Sequence, residues 1–362
     1  MGSKRVVVAM SGGVDSSVTA WLLKDEGYEV IGITMQVWPS NRLAEEAERF
    51  GGCCGLSAAE DAKRVANRLG IPHYVVNFKE IFAKKVIANF CEEYGEGRTP
   101  NPCIRCNRYI KFDALLKKAK ELDADYIATG HYARIEYDSA RKRYLLKRGV
   151  DQKKDQSYVL YVMTQGHLEH TLMPLSSYTK ANVRKIAREL KLPVAEKEES
   201  QEICFIPDND YGGFLKEYVP EAIKPGPIVN KEGRVLGGHR GIIFYTVGQR
   251  KGLGISAKEP LYVIAIDKER NALIVGTKRE VCGDELIATE LNWIAIEKLM
   301  EPIEVRAKIR YLHQEAEAVI APLRGGQRAH VKFREPQMAI TPGQAVVFYD
   351  GDTVVGGGTI EG

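Results

Sequence analysis

The chain has 362 residues, 44% hydrophobic and 28% charged, with a formal net charge of +4. This length accommodates two or three domains of about 100–200 residues each, and the composition is that of a soluble globular protein. It excludes a transmembrane helix, since no run of about 18 apolar residues occurs, and a mildly basic balance permits a nucleic-acid partner without arguing for one. The apolar start is too short for a secretory signal, so a cytoplasmic protein is expected.

Arg5–Met10 is a short apolar run and predicts a strand buried on both faces. Ser11-Gly12-Gly13-Val14-Asp15-Ser16 turns the chain sharply. From Ser16 to Lys24 the apolar positions Val18, Trp21 and Leu22 recur at helical spacing. Strand, Gly-rich loop and helix in this order make an anion seat: the glycines let backbone approach a ligand, and N–H groups at the helix start favour phosphate. The loop is neither the longer G-x-x-x-x-G-K-[ST] nor G-x-G-x-x-G.

Glu29–Val37 reads as a second parallel strand, with Met35 near the C-terminal edge where ligands of open α/β sheets sit. There Met35 is expected against a nucleobase or in the core. Asn41–Phe50 reads as a short helix, residues 51–55 as a turn, and Ser57 to Glu60 as a capping box opening a helix to Leu69. His73–Phe78 is a third strand and Lys79–Glu93 a helix. The alternation implies a parallel sheet with helices on both faces. Prolines flank Asn101, so residues 97–107 are expected as an ordered loop rather than a helix. A helix with the stripe Ile110, Leu115, Leu116 and Ala119 follows. Asp125–Thr129 is a strand ending in Gly130-His131-Tyr132, and residues 133–135 and 144–146 suit a hairpin. Asp155-Gln156-Ser157-Tyr158 caps a helix through Met163. Tyr178–Leu190 is helical, and residues 198–207 form a second ordered loop carrying Cys204.

Near Asp208 glycine and proline rise and helical periodicity fades. Residues 208–282 read as a small mixed β domain with strands at 241–245, 261–267 and 272–275. Residues 283–362 alternate as short strands, a β-barrel or sandwich. The domains expected are therefore 1–207, 208–282 and 283–362.

Seven cysteines stand at 53, 54, 91, 103, 106, 204 and 282. Their odd number and irregular spacing suit a reducing compartment, where spaced cysteines are more often catalytic or metal-binding than disulfide-bonded. Cys91, on the apolar side of a helix, and Cys282 read as inert. Cys106 and Cys204, each in an ordered loop beside polar residues, read as reactive. Thiolate or persulfide sulfur is a good nucleophile toward an adenylylated carbon.

The loop Ser11–Ser17 resembles the PP-loop of the ATP pyrophosphatases, which cut ATP to AMP and pyrophosphate and adenylylate an acceptor. The likeness extends nearly end to end. Cys53-Cys-Gly-Leu-Ser57, Thr99-Pro-Asn-Pro102 with Cys106-Asn107, Ile110-Lys-Phe112, Ala128-Thr-Gly-His-Tyr132, Lys154-Asp-Gln-Ser-Tyr158, Ile203-Cys-Phe-Ile206, the run from Gly248 to Ile255 and Thr341-Pro-Gly-Gln344 all resemble the tRNA-specific 2-thiouridylases of the MnmA/TrmU family. The resemblance implies an α/β PP-loop domain, a small central β domain and a C-terminal β-barrel. It implies a tRNA-uridine 2-sulfurtransferase that activates O2 of the wobble uridine with ATP. Cys106 would be the nucleophile and Cys204 the persulfide carrier. ATP would touch Ala9, Met10, Ser11, Gly12, Gly13, Val14, Asp15, Ser16, Met35 and Gly130, with Asp15 helping to hold Mg²⁺. Asn101, Pro102 and Cys103 would line the target base. His131, Lys154, Asp155, Gln156, Arg310, Tyr311 and Gln344 would contact tRNA. Sulfur would come from a cysteine desulfurase, a sulfur-relay protein or sulfide.

One departure opens a second chemistry. Many family members carry Asp where this chain has Cys103. Cys103, Cys106 and Cys204 would suit a [4Fe-4S] cluster with one open iron, while C-x-x-C alone also suits a zinc half-site or a redox pair. Two other functions fit parts of the pattern. An amidotransferase-type adenylylating synthetase would explain the PP-loop but not the cysteine loops. A non-catalytic RNA-binding protein would be expected to have lost the loop residues.

Overall fold

The computed structural model describes residues 3–37, 56–198, 203–206 and 210–361. The helix expected at 41–50 and the turn with Cys53 and Cys54 lie outside the described residues. The chain divides into two compact units, Met1–Val86 with Cys103–Asn209 and Asp352–Val354, and Ile87–Pro102 with Asp210–Gly351 and Val355–Gly362. Among the described residues no helix is long and apolar enough to cross a membrane.

The first unit is built on a five-stranded parallel sheet. Its strands are β1 (Arg5–Ala9), β2 (Glu29–Gln36), β3 (His73–Asn77), β4 (Tyr126–Ala128) and β7 (Thr171–Leu172), in the order β3-β2-β1-β4-β7. Val6, Val7 and Val8 of the central strand are wholly buried, which is why their run is continuous rather than alternating. Each such side chain stabilises the fold by about 1.5–3 kcal/mol through burial. Helices α1 (Val14–Asp25) and α2 (Leu56–Leu69) close one core with α5 (Lys180–Glu189), through Val18, Leu23, Val65, Ala66, Val183 and Ala187. The hairpin β5 (Ala133–Asp138) and β6 (Arg143–Arg148) forms as expected. Strand β7 has only two residues, too few to show a periodicity.

Helix α3 covers residues 79–95, with a π-helical turn at Ala83–Ile87. Residues 102–120 are one helical run, α4, whose first segment is Pro102–Cys106 and whose middle, Asn107–Ala114, is π-helical. This corrects the second half of the loop expected across 97–107, since residues 98–101 are irregular as expected and the helix starts only at Pro102. Pro102 occupies the first helical turn, where its missing N–H would have no intrahelical partner anyway. The stripe of Ile110, Leu115, Leu116 and Ala119 is buried, as its spacing demands.

In the second unit a four-stranded sheet has the order β10-β11-β8-β9, from β8 (Gly226–Val229), β9 (Val235–His239), β10 (Tyr262–Asp267) and β11 (Ala272–Gly276). The strand expected at 241–245 is instead a 3₁₀ turn, Ile242–Phe244. Gly241 precedes it at φ +147°, where a β ladder cannot continue. Six strands then form a closed antiparallel barrel in the order β12-β15-β14-β13-β16-β17, with β12 pairing back to β17. They are β12 (Cys282–Trp293), β13 (Ile303–Lys308), β14 (Ala316–Pro322), β15 (Ala329–Met338), β16 (Ala345–Asp350) and β17 (Thr353–Ile360). Alternate residues Ile320, Val331, Val346 and Phe348 fill its interior. Closure removes the exposed edges that a sandwich would leave.

Candidate active site

Sheet order places the Gly-rich loop. From β1 the chain proceeds to β2 on one side, while β4 lies on the other. The loops after β1 and β4 therefore flank a topological switch point, where ligands of open α/β sheets bind. Gly12 turns the loop at φ +67°, and a Cβ there would lie 2.2 Å from the carbonyl oxygen of Ala58 in α2. Gly130, two residues past β4, presses on the same loop, since its Cβ would lie 2.9 Å from the Ser16 nitrogen. Glycine is required at both positions because backbone meets backbone.

Gly13 is the N-cap of α1 and supplies no side-chain cap. The first-turn N–H groups are thereby left to an oxyanion or water. Ser16 Oγ accepts from the Ser11 N–H at 3.2 Å and donates to the Gly13 carbonyl at 3.2 Å, and Ser17 Oγ donates to the same carbonyl at 2.8 Å. These bonds shape the loop before any ligand arrives. Ala9 and Val14 are buried, and Met10 packs in the core with its sulfur over Gly32, so these three can present only backbone to a nucleotide. Met35 stands near the C-terminal end of β2, 9% exposed.

The sequence reading missed the cations of the loop. Lys180 Nζ donates to both Asp15 oxygens at 2.8 and 2.7 Å, and the Tyr132 hydroxyl donates to Oδ1 at 2.7 Å. Lys197 Nζ donates to the Gly12 carbonyl at 3.2 Å and to Asp61 at 2.7 Å. Burial raises the Asp61 carboxyl, but bonds from Lys197 and Arg64 outweigh it and hold the group below its usual range. Tyr132 is itself fixed by Gln156, whose Oε1 accepts the Tyr132 N–H and whose N–H donates to the Tyr132 carbonyl, both at 3.0 Å. Asp155 accepts the Ser157 hydroxyl at 2.8 Å, and burial pushes its carboxyl above the usual range. The Asp-Gln-Ser-Tyr segment therefore braces the residue that grips Asp15.

Cys103 and Cys106 lie three residues apart on α4, a spacing that puts both on one helix face. Cys103 is exposed, Cys106 half-buried, and both are thiols. Cys204, also a half-buried thiol, lies in the same unit. Its turn is anchored by Phe205 and Ile206, each 2% exposed, with the Phe205 ring edge-on to Phe82 at 5.6 Å. Cys91 is buried, which pushes its thiol up to about 11 and leaves it protonated and inert. Among the described residues no three His, Cys, Asp or Glu side chains converge to hold a metal ion. As arranged, Cys103, Cys106 and Cys204 do not form the three-thiolate cradle a cluster needs. Asp15 has both carboxylate oxygens on Lys180.

In the second unit the segment before Asn101 is pinned from several sides. Arg98 makes a two-point ion pair with Glu93 at 2.7 and 3.0 Å. The Thr99 N–H donates to the Pro342 carbonyl at 2.8 Å, and Thr99 Oγ1 donates to Thr246 Oγ1 at 3.1 Å. Gln344 Nε2 donates to the carbonyls of Thr99 and Pro100 at 2.9 and 3.3 Å. The two distant motifs, Thr99 to Pro102 and Thr341 to Gln344, are thus one local structure.

Residues 4–208 match the tRNA methyl transferase HUP domain family, 212–277 the tRNA methyl transferase PRC-barrel domain and 283–360 the Aminomethyltransferase beta-barrel domain. The tRNA-specific 2-thiouridylase MnmA 2 of Caldanaerobacter subterraneus subsp. tengcongensis is 61% identical over 360 residues, covering 99% of this chain and 98% of that protein. The tRNA-specific 2-thiouridylase MnmA of Acetivibrio thermocellus is 58% identical over 362 residues, covering 100% of both. The chain belongs to the tRNA-specific 2-thiouridylase family.

Against that family, the positions expected to meet tRNA fall into two groups. His131 is 7% exposed. Lys111, which only donates, lies 3.4 Å from its Nε2, so Nδ1–H donates to Thr129 Oγ1 at 2.8 Å. Burial, aided by the Lys111 charge, drives its pKa well below the usual value, so the ring is neutral. His131 is an internal support, whereas Asp155 and Gln156 hold Ser157 and Tyr132 while remaining only half-buried. Lys154, Arg310 and Tyr311 keep part of their surface, with Arg310 donating to the Met338 carbonyl at 3.0 Å. Gln344 is expected to act through the segment it holds. Gln344→Leu should lower thiolation about tenfold while changing overall tRNA affinity by less than about threefold. A filter-binding isotherm beside a single-turnover rate checks this.

Proposed function

We propose that the chain catalyses ATP-dependent 2-thiolation of the wobble uridine of tRNA. The observation that carries this reading is near-full-length identity of 58–61% to tRNA-specific 2-thiouridylases, in a chain whose Gly-rich loop sits intact at the switch point of its sheet. ATP lies with its phosphates on the first turn of α1 and its base toward Met35. Mg²⁺ arrives on the phosphates as part of the substrate. Uridine O2 attacks the α-phosphorus, the bond to the β-phosphate breaks, and pyrophosphate leaves.

The terminal sulfur of a Cys204 persulfide then attacks C2, and AMP leaves with the former O2. The Cys106 thiolate attacks Cys204 Sγ, breaking the bond to the transferred sulfur. This releases 2-thiouridine and leaves a Cys106–Cys204 disulfide, which a small thiol reductant reopens. A cysteine desulfurase, a relay protein or sulfide with an oxidant reloads Cys204. Asn101 and Pro102 border the target base, while Lys154, Arg310 and Tyr311 contact tRNA. The three-domain partition 1–207, 208–282 and 283–362 stands as a working division of these roles.

The test is purified enzyme with ATP, unmodified tRNA, a persulfide donor and thiol, under nitrogen. Thiouridine, AMP and pyrophosphate should form in equal amounts; thiouridine without ATP consumption would overturn the reading. The methyl transfer in the names of two matched domain families predicts a methylated nucleoside instead, which mass spectrometry separates. Cys103 decides the remaining alternative. Under the persulfide route Cys103→Ser should keep its rate within about threefold and need no iron. A colourless, inactive variant of a wild type that carries iron and acid-labile sulfide would favour the cluster.

A further inference from the structure

We propose that Lys180 is the charge-compensating residue that allows the PP-loop to accept a polyphosphate; this rests on the ATP reading above. The anion seat is the first turn of α1, yet the second residue of that helix is Asp15. A carboxylate there suits the helix dipole but opposes the phosphate chain of ATP. Lys180 Nζ meets both its oxygens, at 2.8 and 2.7 Å. The lysine side chain is 12% exposed and the carboxylate 31%, so solvent screens their attraction less than at an open surface.

Lys180 is aimed, not adventitious. It is the first residue of α5, whose start is fixed by a reciprocal capping box between Thr179 and Asn182. Its own N–H donates to Asp151 Oδ2 at 2.9 Å. A lysine at the first position of a helix faces the positive end of the dipole, which disfavours it. Helix stability therefore does not account for the residue, whereas neutralising Asp15 does. The Tyr132 hydroxyl, donating to Asp15 at 2.7 Å, holds the carboxylate in the orientation that meets the ammonium. Lys180 is thus a positioning residue: it acts on the nucleotide through Asp15.

The experiment titrates ATP into the full chain by calorimetry in EDTA, so that neither turnover nor bound metal enters. Lys180→Met should weaken ATP binding at least about tenfold, and Lys180→Arg should stay within about threefold of wild type. Asp15→Asn should bind ATP at least as tightly as wild type, and the double variant Asp15→Asn/Lys180→Met should recover most of the affinity lost by Lys180→Met. Thermal unfolding of each variant runs alongside. Lys180 serving merely to tie α5 to α1 predicts no rescue by Asp15→Asn, because the tie stays broken. Unchanged affinity in Lys180→Met, or a double variant no better than the single, overturns the proposal. If Lys180→Met does not fold, weaker binding by Asp15→Asn alone overturns it. Should wild type bind ATP neither in EDTA nor with Mg²⁺ restored, the PP-loop reading fails first and this inference with it.

Discussion

Cys204→Ala should release pyrophosphate once per active site and then stop, forming no thiouridine. Adenylylation needs only ATP, the target base and the loop at residues 10–16, none of which involves this thiol. The sulfur step needs a carrier, and alanine provides none. The rate of thiouridine formation should fall by at least about 10⁴, the scale expected when a covalent nucleophile is deleted. Cys106→Ala should be as inactive in turnover but differ in what accumulates. With sulfur already on Cys204, attack at C2 can proceed, so AMP is released once and tRNA stays joined to the protein through a reducible bond. A denaturing gel with and without reductant separates the two variants. Full turnover by either variant would remove its cysteine from the mechanism. Cys91→Ala should be silent in this assay, since burial already holds that thiol protonated at neutral pH, with its pKa up to about 11.

The first strand, the loop and α1 were legible because each is local. Three valines in a row and two adjacent glycines carry their meaning within a few residues. Lys180 was not legible, because its partner lies 165 positions away and a Thr followed by Lys at a helix start has no ligand signature. The signal available was negative: a basic residue where the helix dipole favours an acidic one. Pro102–Cys106 was misread for the opposite reason. Two prolines in four residues suggest a break, yet the first turn is the one place a helix tolerates proline. That error hid the shared face of Cys103 and Cys106.

Strand spacing alone reads the last domain as a barrel or a sandwich, and only the family resemblance implies the closed barrel that forms. Its longest member, Cys282–Trp293, is interrupted by Asp284, Glu285 and Glu290, and its ladders to β15 and β17 both shift register. Charges and bulges erase the alternation that would have marked it. Nor could composition show that Ile87–Pro102 belongs to the same compact unit as the barrel. That membership comes from contacts such as Gln344 with Thr99, made across 245 positions.

Gly12 and Gly13 look equivalent in the sequence, and the structure makes them unequal. Gly12→Ala should lower ATP affinity more than tenfold, about 1.4 kcal/mol or more, and should lower the unfolding midpoint as well. At φ +67° an L side chain is strained, and the added Cβ would meet the Ala58 carbonyl oxygen at 2.2 Å. Both partners are backbone, so no rotamer change relieves the contact; either the loop or the start of α2 must shift. Strain of this kind costs about 1–3 kcal/mol before any movement. Gly13→Ala, at φ −101°, places its Cβ 3.5 Å from Ser11 Oγ, an ordinary contact. Its ATP affinity should stay within about threefold of wild type. Gly130→Ala falls between them: its Cβ would lie 2.9 Å from backbone atoms of Asp15 and Ser16 and push on the first turn of α1 from the far side. Calorimetric titration of ATP into the three variants orders them. Equal losses at Gly12 and Gly13 would mean that the loop rearranges on binding and that its ligand-free shape does not set affinity.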